Sequence, residues 1–258
     1  MNITQTQFER TLTSLLHFPG SEKGVTADSI ANGLAIAGSR AITRVGFAVS
    51  SNLETFERAV KKGCNALVVH HGLKFDPLHL DHINAQRLAY LFAHNLNLYS
   101  AHFLLDAHPR LGNNAQLLEA LGCRAVTPFA FTGEQPWGMV GSLATPRTVQ
   151  QLLKKSKKFF SSRTLHYSSP TQHVLRIASV TGMGAPSAAQ LDELKKLNVD
   201  LFVTGEVHEH HRDLFLESGI ACIAGGHYHT ETFGIRALQK ACAHKGWDTV
   251  FIDYPNPV

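Results

Sequence analysis

The chain has 258 residues, 44% of them hydrophobic and 17% charged, with a net charge of +4 when histidine is neutral. That length can bury one large core or two smaller ones, and the composition excludes a disordered or fibrous chain. A charge of +4 is too thin a footprint to argue for nucleic acid. No run approaches the roughly 18 apolar residues needed to span a bilayer. The opening MNITQTQFERTLTSLLHF lacks the basic and apolar regions of a secretory leader. Cys64, Cys123, Cys222 and Cys242 lie far apart with no CxxC pair, which reads as buried reduced thiols. The expected location is cytoplasmic, with no membrane partner.

Along the chain the pattern alternates strand and helix. Asn52 before Glu54 opens a predicted helix over about 53–62, Gly63 closes it, and NALVVHHG follows as a buried strand. A helix over about 82–94 leads into the strand LNLYSAH, and NNAQLLEALG is another helix ending in glycine. The second half repeats the theme with the strand VLRIASVTG, the helix SAAQLDELKKL and the strand VDLFVTG. A helix over about 206–217, the strand IACIAG, a helix over about 231–244 and DTVFIDY complete it. Such alternation predicts an α/β fold with largely parallel sheets. AVKKGCNALVVHHG and ELKKLNVDLFVTGE share one order of helix, turn, buried strand and polar end, which suggests a repeated unit.

Residues 127–176 differ in texture, with more Pro, Ser, Thr and Lys. Within them, LLKKSKKFFSSR (152–163) admits two readings. It is either a phosphate or nucleic-acid patch, or the solvated face of an amphipathic helix opened by Thr148.

Histidine is the unusual residue. Of sixteen, seven fall in 70–108 and five in 208–229. His70 and His71 stand where a buried strand meets a loop, and ligands of open α/β sheets bind beyond the carboxyl ends of strands. SAHFLLDAH adds His102, Asp106 and His108 at the next strand end. GGHYHTE holds His227 and Glu231 four apart, on one face of a helix that begins near 228, with His229 turned elsewhere as a supporting group. His70, His71, Asp106, His227 and Glu231 give three imidazoles and two carboxylates, a donor set suited to Zn, Mn, Fe, Co or Ni, and two carboxylates can bridge a metal pair. GEVHEHHRD is not a zincin motif, because HExxH requires histidine where Arg212 stands; Glu206, His208, His210 and His211 read instead as pocket lining. No Walker loop, GxGxxG or GxSxG is present.

Five stretches in order resemble the GTP cyclohydrolase I type 2 homologue family, the NGG-interacting-factor-three-like dinuclear metal proteins. They are NGLAIAG (32–38), VVHHGLKF, SAHFLLDAH, TGEVHEHH and GGHYHTE. The resemblance implies two α/β lobes, the second inserted into the first, with a dinuclear site in the cleft. Lobes of 1–126 plus 221–258 and of 127–220 are the expected boundaries. It implies two divalent metal ions per chain held by His70, His71, Asp106, His227 and Glu231, and a toroidal hexamer built as a trimer of dimers. The chain departs at Gly72, where the family usually has proline, and in Ala-Asn before Gly33 and Phe-Leu-Leu before Asp106.

The implied function is a metal-dependent hydrolase in which an activated water attacks a nucleotide or another cyclic C–N substrate. His102, His229 and Glu206 are its candidate proton carriers. The alternatives are a non-enzymatic metal-binding or trafficking protein, and a ring-shaped scaffold or regulator that binds nucleic acid through the basic 154–163 segment.

Overall fold

The computed structural model describes residues 3–21, 28–75, 79–134 and 137–257. The chain forms two compact units, Met1–Leu111 with Ile235–Tyr254, and Gly112–Gly234 with Pro255–Val258. Among the described residues no helix is long and apolar enough to cross a membrane.

The first unit is built on a five-stranded sheet. Strands β4 (Val45–Ser50), β5 (Ala66–His71) and β6 (Asn97–Ser100) run parallel, with β13 (Thr249–Phe251) parallel on one edge and β2 (Gly33–Ile36) antiparallel on the other. A separate two-stranded ribbon pairs β1 (Ile3–Thr4) with β3 (Ala41–Ile42). Among the described residues its helices are α1 (Gln5–Leu16), α2 (Leu53–Lys61), α3 (His82–Ala93) and the single turn α4 (Phe103–Asp106). Asn52 caps α2 by accepting the amide of Thr55 at 2.9 Å, as its place in the sequence predicts. One core cluster gathers Leu67 and Val69 of β5, Leu98 of β6, Phe56 and Ala59 of α2, and Ile252.

The second unit is a six-stranded sheet in the order β7 (Cys123–Phe129), β8 (Gly138–Thr148), β10 (His173–Ser179), β11 (Leu201–Thr204), β12 (Ala221–Ala224), β9 (Leu165–Tyr167). The β10, β11 and β12 strands are parallel, and β7, β8 and β9 are antiparallel to their neighbours. Helices α5 (Asn113–Leu121), α6 (Val149–Ser156), α7 (Ala188–Lys196) and α8 (His211–Ser218) belong to it, with the first part of α9 (His227–Ala243). Side chains of a strand alternate between faces. Accordingly Leu201, Val203, Ala221 and Ile223 enter one core cluster while Phe202 and Cys222 enter another. Burial on both faces is why residues 201–203 and 220–224 are unbroken apolar runs.

Several expectations shift. The lobe boundaries expected at 126/127 and 220/221 fall instead at 111/112 and 234/235. Leu117, Leu118 and Leu121 of α5 pack in a core of the second sheet, and β12 is hydrogen-bonded to β11. The helix expected over 206–217 starts only at His211 and runs to Ser218, where Gly219 takes φ 75°. The last helix, expected over about 231–244, begins at His227, near the start at 228 that puts His227 and Glu231 on one face, because Gly226 (φ 96°) turns the chain and its carbonyl accepts the amide of Thr230 at 3.0 Å. Residues 127–176, read as different in texture with one candidate helix opened by Thr148, contain most of the β7–β8 pair, β9 and α6. Thr148 does open α6 with a capping box to Gln151, and the helix buries Val149, Leu152 and Ser156. Helix α1 was not foreseen.

The echo between the halves has a concrete form. Asn198 follows α7 in the left-handed region (φ 53°), as Gly63 does after α2 (φ 75°). In each turn the next amide reaches back five residues, Cys64 to Ala59 at 3.0 Å and Val199 to Leu194 at 3.1 Å. Asn95 (φ 48°) does the same after α3, with Leu96 reaching Leu91 at 3.0 Å. The shared feature is a helix-to-strand turn used three times.

Asn97, fully buried at the start of β6, ties three segments together. Its Oδ1 accepts the Gly38 amide at 2.8 Å, and its Nδ2 donates to the carbonyls of Ser39 (2.9 Å) and Asn65 (3.0 Å). Asn97→Ala orphans the Gly38 amide and the Ser39 carbonyl, while the Asn65 carbonyl keeps the backbone amide of residue 97 at 3.1 Å. The expected cost is about 2–4 kcal/mol, read as a lower denaturant midpoint at unchanged slope.

Candidate metal centre

In the first unit, His70 and His71 end β5 and His102 precedes α4. Their rings lie close, with centroids 4.8 Å apart for His70–His71, 5.0 Å for His70–His102 and 5.5 Å for His71–His102. One ring nitrogen of each falls within 4.8 Å of the others. His70 is fully buried and donates Nδ1–H to the carbonyl of Ala101 at 2.8 Å. That bond fixes the tautomer and turns Nε2 toward Asp106, 3.4 Å from Oδ2.

His102 is wired in the same way. Its Nδ1 donates to Asp28 Oδ1 at 2.7 Å, while Asp28 also accepts the amides of Ile30 (2.9 Å) and Phe103 (3.0 Å) and the side-chain amide of Asn32 (3.0 Å). Burial works against the charge of Asp28, but the His102 bond and the amides outweigh it and hold its pKa below the usual value. Asn32 additionally accepts the backbone amide of His102 at 2.9 Å. Gly72, the departure noted above, has no room for a side chain, since a Cβ would lie 2.8 Å from both Ile30 and Ser100.

His108 is the exception in this segment. Both of its nitrogens are engaged internally, Nε2 with the carbonyl of Leu15 (3.1 Å) and Nδ1 with the amides of Arg110 (3.1 Å) and Leu111 (2.9 Å). Burial lowers its pKa, and it serves packing.

In the second unit, His227 and Glu231 occupy the first turns of α9. The i, i+4 spacing places His227 Nε2 3.2 Å from Glu231 Oε2, and Glu231 is nearly fully buried. His227 Nδ1 donates to Glu206, so Glu206 orients this imidazole as Asp28 orients His102. Burial opposes the imidazolium of His227, but Glu231 and then Glu206 outweigh it and raise the pKa to about 9. Gly182 makes the pocket possible. Its φ is 65°, and a Cβ there would run into the Glu231 carboxylate and come within 3.2 Å of His227 Nε2. Its amide donates to Thr230 Oγ1 (3.3 Å), and its carbonyl accepts the amides of Gly205 (3.0 Å) and Glu206 (2.9 Å).

Of the remaining expected residues, His229 sits two places beyond His227, so a helical turn points it away from Glu231. It packs beside Tyr228, ring centroids 5.6 Å apart. His208, His210 and His211 form a stacked group at the start of α8, with centroid separations of 4.1 to 6.0 Å. Asp28, Asn32 and Gly182 were not foreseen. A carboxylate 74 residues from the histidine it holds leaves no local pattern.

The sequence profile described as Duf34/NIF3 (NGG1p interacting factor 3) matches residues 13–257. The chain belongs to this family. A protein of Pyrococcus abyssi named "GTP cyclohydrolase 1 type 2 homolog" is 32% identical over 88% of this chain and 91% of its own. A Yersinia pestis protein of the same name is 35% identical over 91% and 93%. Among solved structures, protein ybgI, titled as of unknown function, aligns with TM-score 0.84 at 31% identity over 99% of this chain and all of that one. TTHA1606 from Thermus thermophilus aligns equally well at 30% identity over the same shares. Membership agrees with the motif resemblance read from the sequence.

Gly182→Ala tests the Glu231 cradle. The added methyl must displace the carboxylate and strain the backbone, so the His227 titration in metal-free protein should fall from about 9 toward 6.5. The linkage has a definite sign. In the parent, stability from the charged imidazole is full below pH 6.5 and lost as pH rises through about 9. The variant should lose much of that dependence. An unchanged NMR titration midpoint for His227 would contradict the arrangement.

Proposed function

We propose that the chain holds two divalent first-row metal ions (Zn, Fe, Mn, Co or Ni) and is a metal-dependent hydrolase. The proposed ligands are His70, His71, Asp106, His227 and Glu231. The observation that carries this reading is a wiring pattern repeated at three histidines. In His70, His102 and His227 a carbonyl or carboxylate accepts Nδ1–H, which leaves Nε2 as the presented nitrogen. Imidazoles that ligate metals are held in this way.

The donors fit such ions. Imidazole with carboxylate suits first-row divalent metals. At both His70–Asp106 and His227–Glu231 a ring nitrogen faces a carboxylate within 3.4 Å, an approach that needs a positive charge between the two atoms. Without metal a proton supplies that charge at His227, which is the physical content of its raised pKa.

When bound, the ions would supply Lewis acidity, bringing the pKa of a water toward neutrality and polarising the bond under attack. The chain's residues set up that chemistry. Asp28 and Glu206 fix the tautomers of His102 and His227. The proton on His227 Nε2 must leave before a cation arrives, and Glu231 Oε2, 3.2 Å from that nitrogen, is placed to take it while Glu206 keeps the Nδ1–H. His102 adds a further nitrogen beside His70 and His71, as a proton carrier or an extra ligand. His229 is the remaining proposed carrier. The substrate class supported by the relatives' name is a nucleotide or other cyclic C–N compound, with GTP ring opening as the narrow form. Assembly as a hexameric ring, a trimer of dimers acting on a small-molecule substrate, belongs to the same proposal.

Protein reconstituted with each of the five metals and assayed on GTP and a panel of cyclic amides should turn over at least one substrate. Glu231→Gln should reduce that turnover by on the order of 100-fold. Bound metal with no turnover on any substrate would leave a non-enzymatic metal-binding or trafficking protein.

A further inference from the structure

A second feature of the chain lies outside the residues proposed as metal ligands. The basic stretch that begins with α6 forms one wall of a cleft of about 440 Å³ within the second unit. Gln151, Lys154 and Lys155 lie at i, i+3 and i+4 and share a face of the helix region. Thr145 and Arg147 of β8 line the cleft as well, while Leu121, Leu143 and Leu152 give it an apolar floor.

Its charge is one-sided. Arg147, Lys154 and Lys155 are exposed, and no acidic residue is among the described residues that line the cleft. No ion pair of these three is found among the described residues. Gly122, which closes α5 with φ 97°, lies beside the Lys155 ammonium, 2.9 Å from where a Cβ would stand. Three cations of like sign around one concavity repel each other, and apolar walls concentrate their field. An anion in the cleft relieves that repulsion. The volume lies in the range of small-molecule sites.

We propose that this cleft binds a small phosphate monoester with an apolar body. Three cations match a dianionic phosphate better than a singly charged carboxylate, and an arginine can grip two of its oxygens at once. The leucine floor covers the apolar part. This inference does not rest on the metal reading.

The test uses the full-length protein and isothermal titration with phenyl phosphate, inorganic phosphate and a short DNA duplex. Phenyl phosphate should bind once per chain, at least tenfold more tightly than inorganic phosphate. Arg147→Ala with Lys154→Ala should weaken it at least tenfold while melting temperature and metal content stay unchanged. The single charge reversal Lys154→Glu should give a loss of the same direction. Absence of phenyl phosphate binding, or binding that survives these substitutions, would overturn the proposal. So would equal affinity for the two phosphates, or binding of the duplex alone.

Discussion

An imidazole offers one lone pair and one N–H, and a hydrogen bond at one nitrogen decides what the other presents. In this chain that choice is made three times in the same sense. His70 is held by the carbonyl of Ala101, His102 by Asp28 and His227 by Glu206, each through Nδ1. The remainder of each unit's local architecture positions those acceptors. Ala101 lies just beyond β6, beside β5 with its two histidines, where its amide donates to the Val69 carbonyl at 2.9 Å. Asp28 is locked by two amides and Asn32 before it can hold His102. Glu206 follows β11, its own amide bound to the carbonyl of Gly182.

The backbone takes unusual forms where space is short. Gly182 leaves room for the Glu231 carboxylate. A Cβ at Gly205 would lie 2.8 Å from the His227 Cα and 2.7 Å from the Gly182 carbonyl oxygen. Gly226 turns the chain so that α9 begins at His227 instead of a turn later, which brings His227 and Glu231 into register on consecutive turns. The buried Thr230 ties this corner, its hydroxyl bonded to the carbonyls of Gly226 and His227 at 3.0 Å each and to the Gly182 amide. Any residue larger than glycine at 182 or 205 would have to push a site residue aside.

Much of the fold was legible because its strands are buried on both faces. Residues 66–69 of β5, 201–203 of β11 and all of β12 are continuously apolar, and the turns before β5 and β11 carry Gly63 and Asn198 at the residue that must adopt a left-handed conformation. The histidine and carboxylate positions were legible from their clustering at strand ends. Other parts left weaker traces. The β7–β8 pair includes Pro128, Pro146 and a run of exposed residues from Ala144 to Arg147, so neither alternation nor apolar continuity marks it. Helix α1 did leave a signal, a Thr4–Gln7 capping box before buried Phe8, Leu12 and Leu16, but its polar composition masked the periodicity. The acceptors that fix the histidine tautomers were the least visible, because Asp28 and Ala101 reach their partners across the fold.

The central claim is that these anchored imidazoles and paired carboxylates exist to hold cations. Elemental analysis of protein purified without added metal or a histidine tag, at known chain concentration, addresses it most directly. The account predicts about two equivalents of a first-row divalent metal per chain. A chain that carries none, and takes up none when offered Zn, Mn, Fe, Co and Ni in turn, would contradict it.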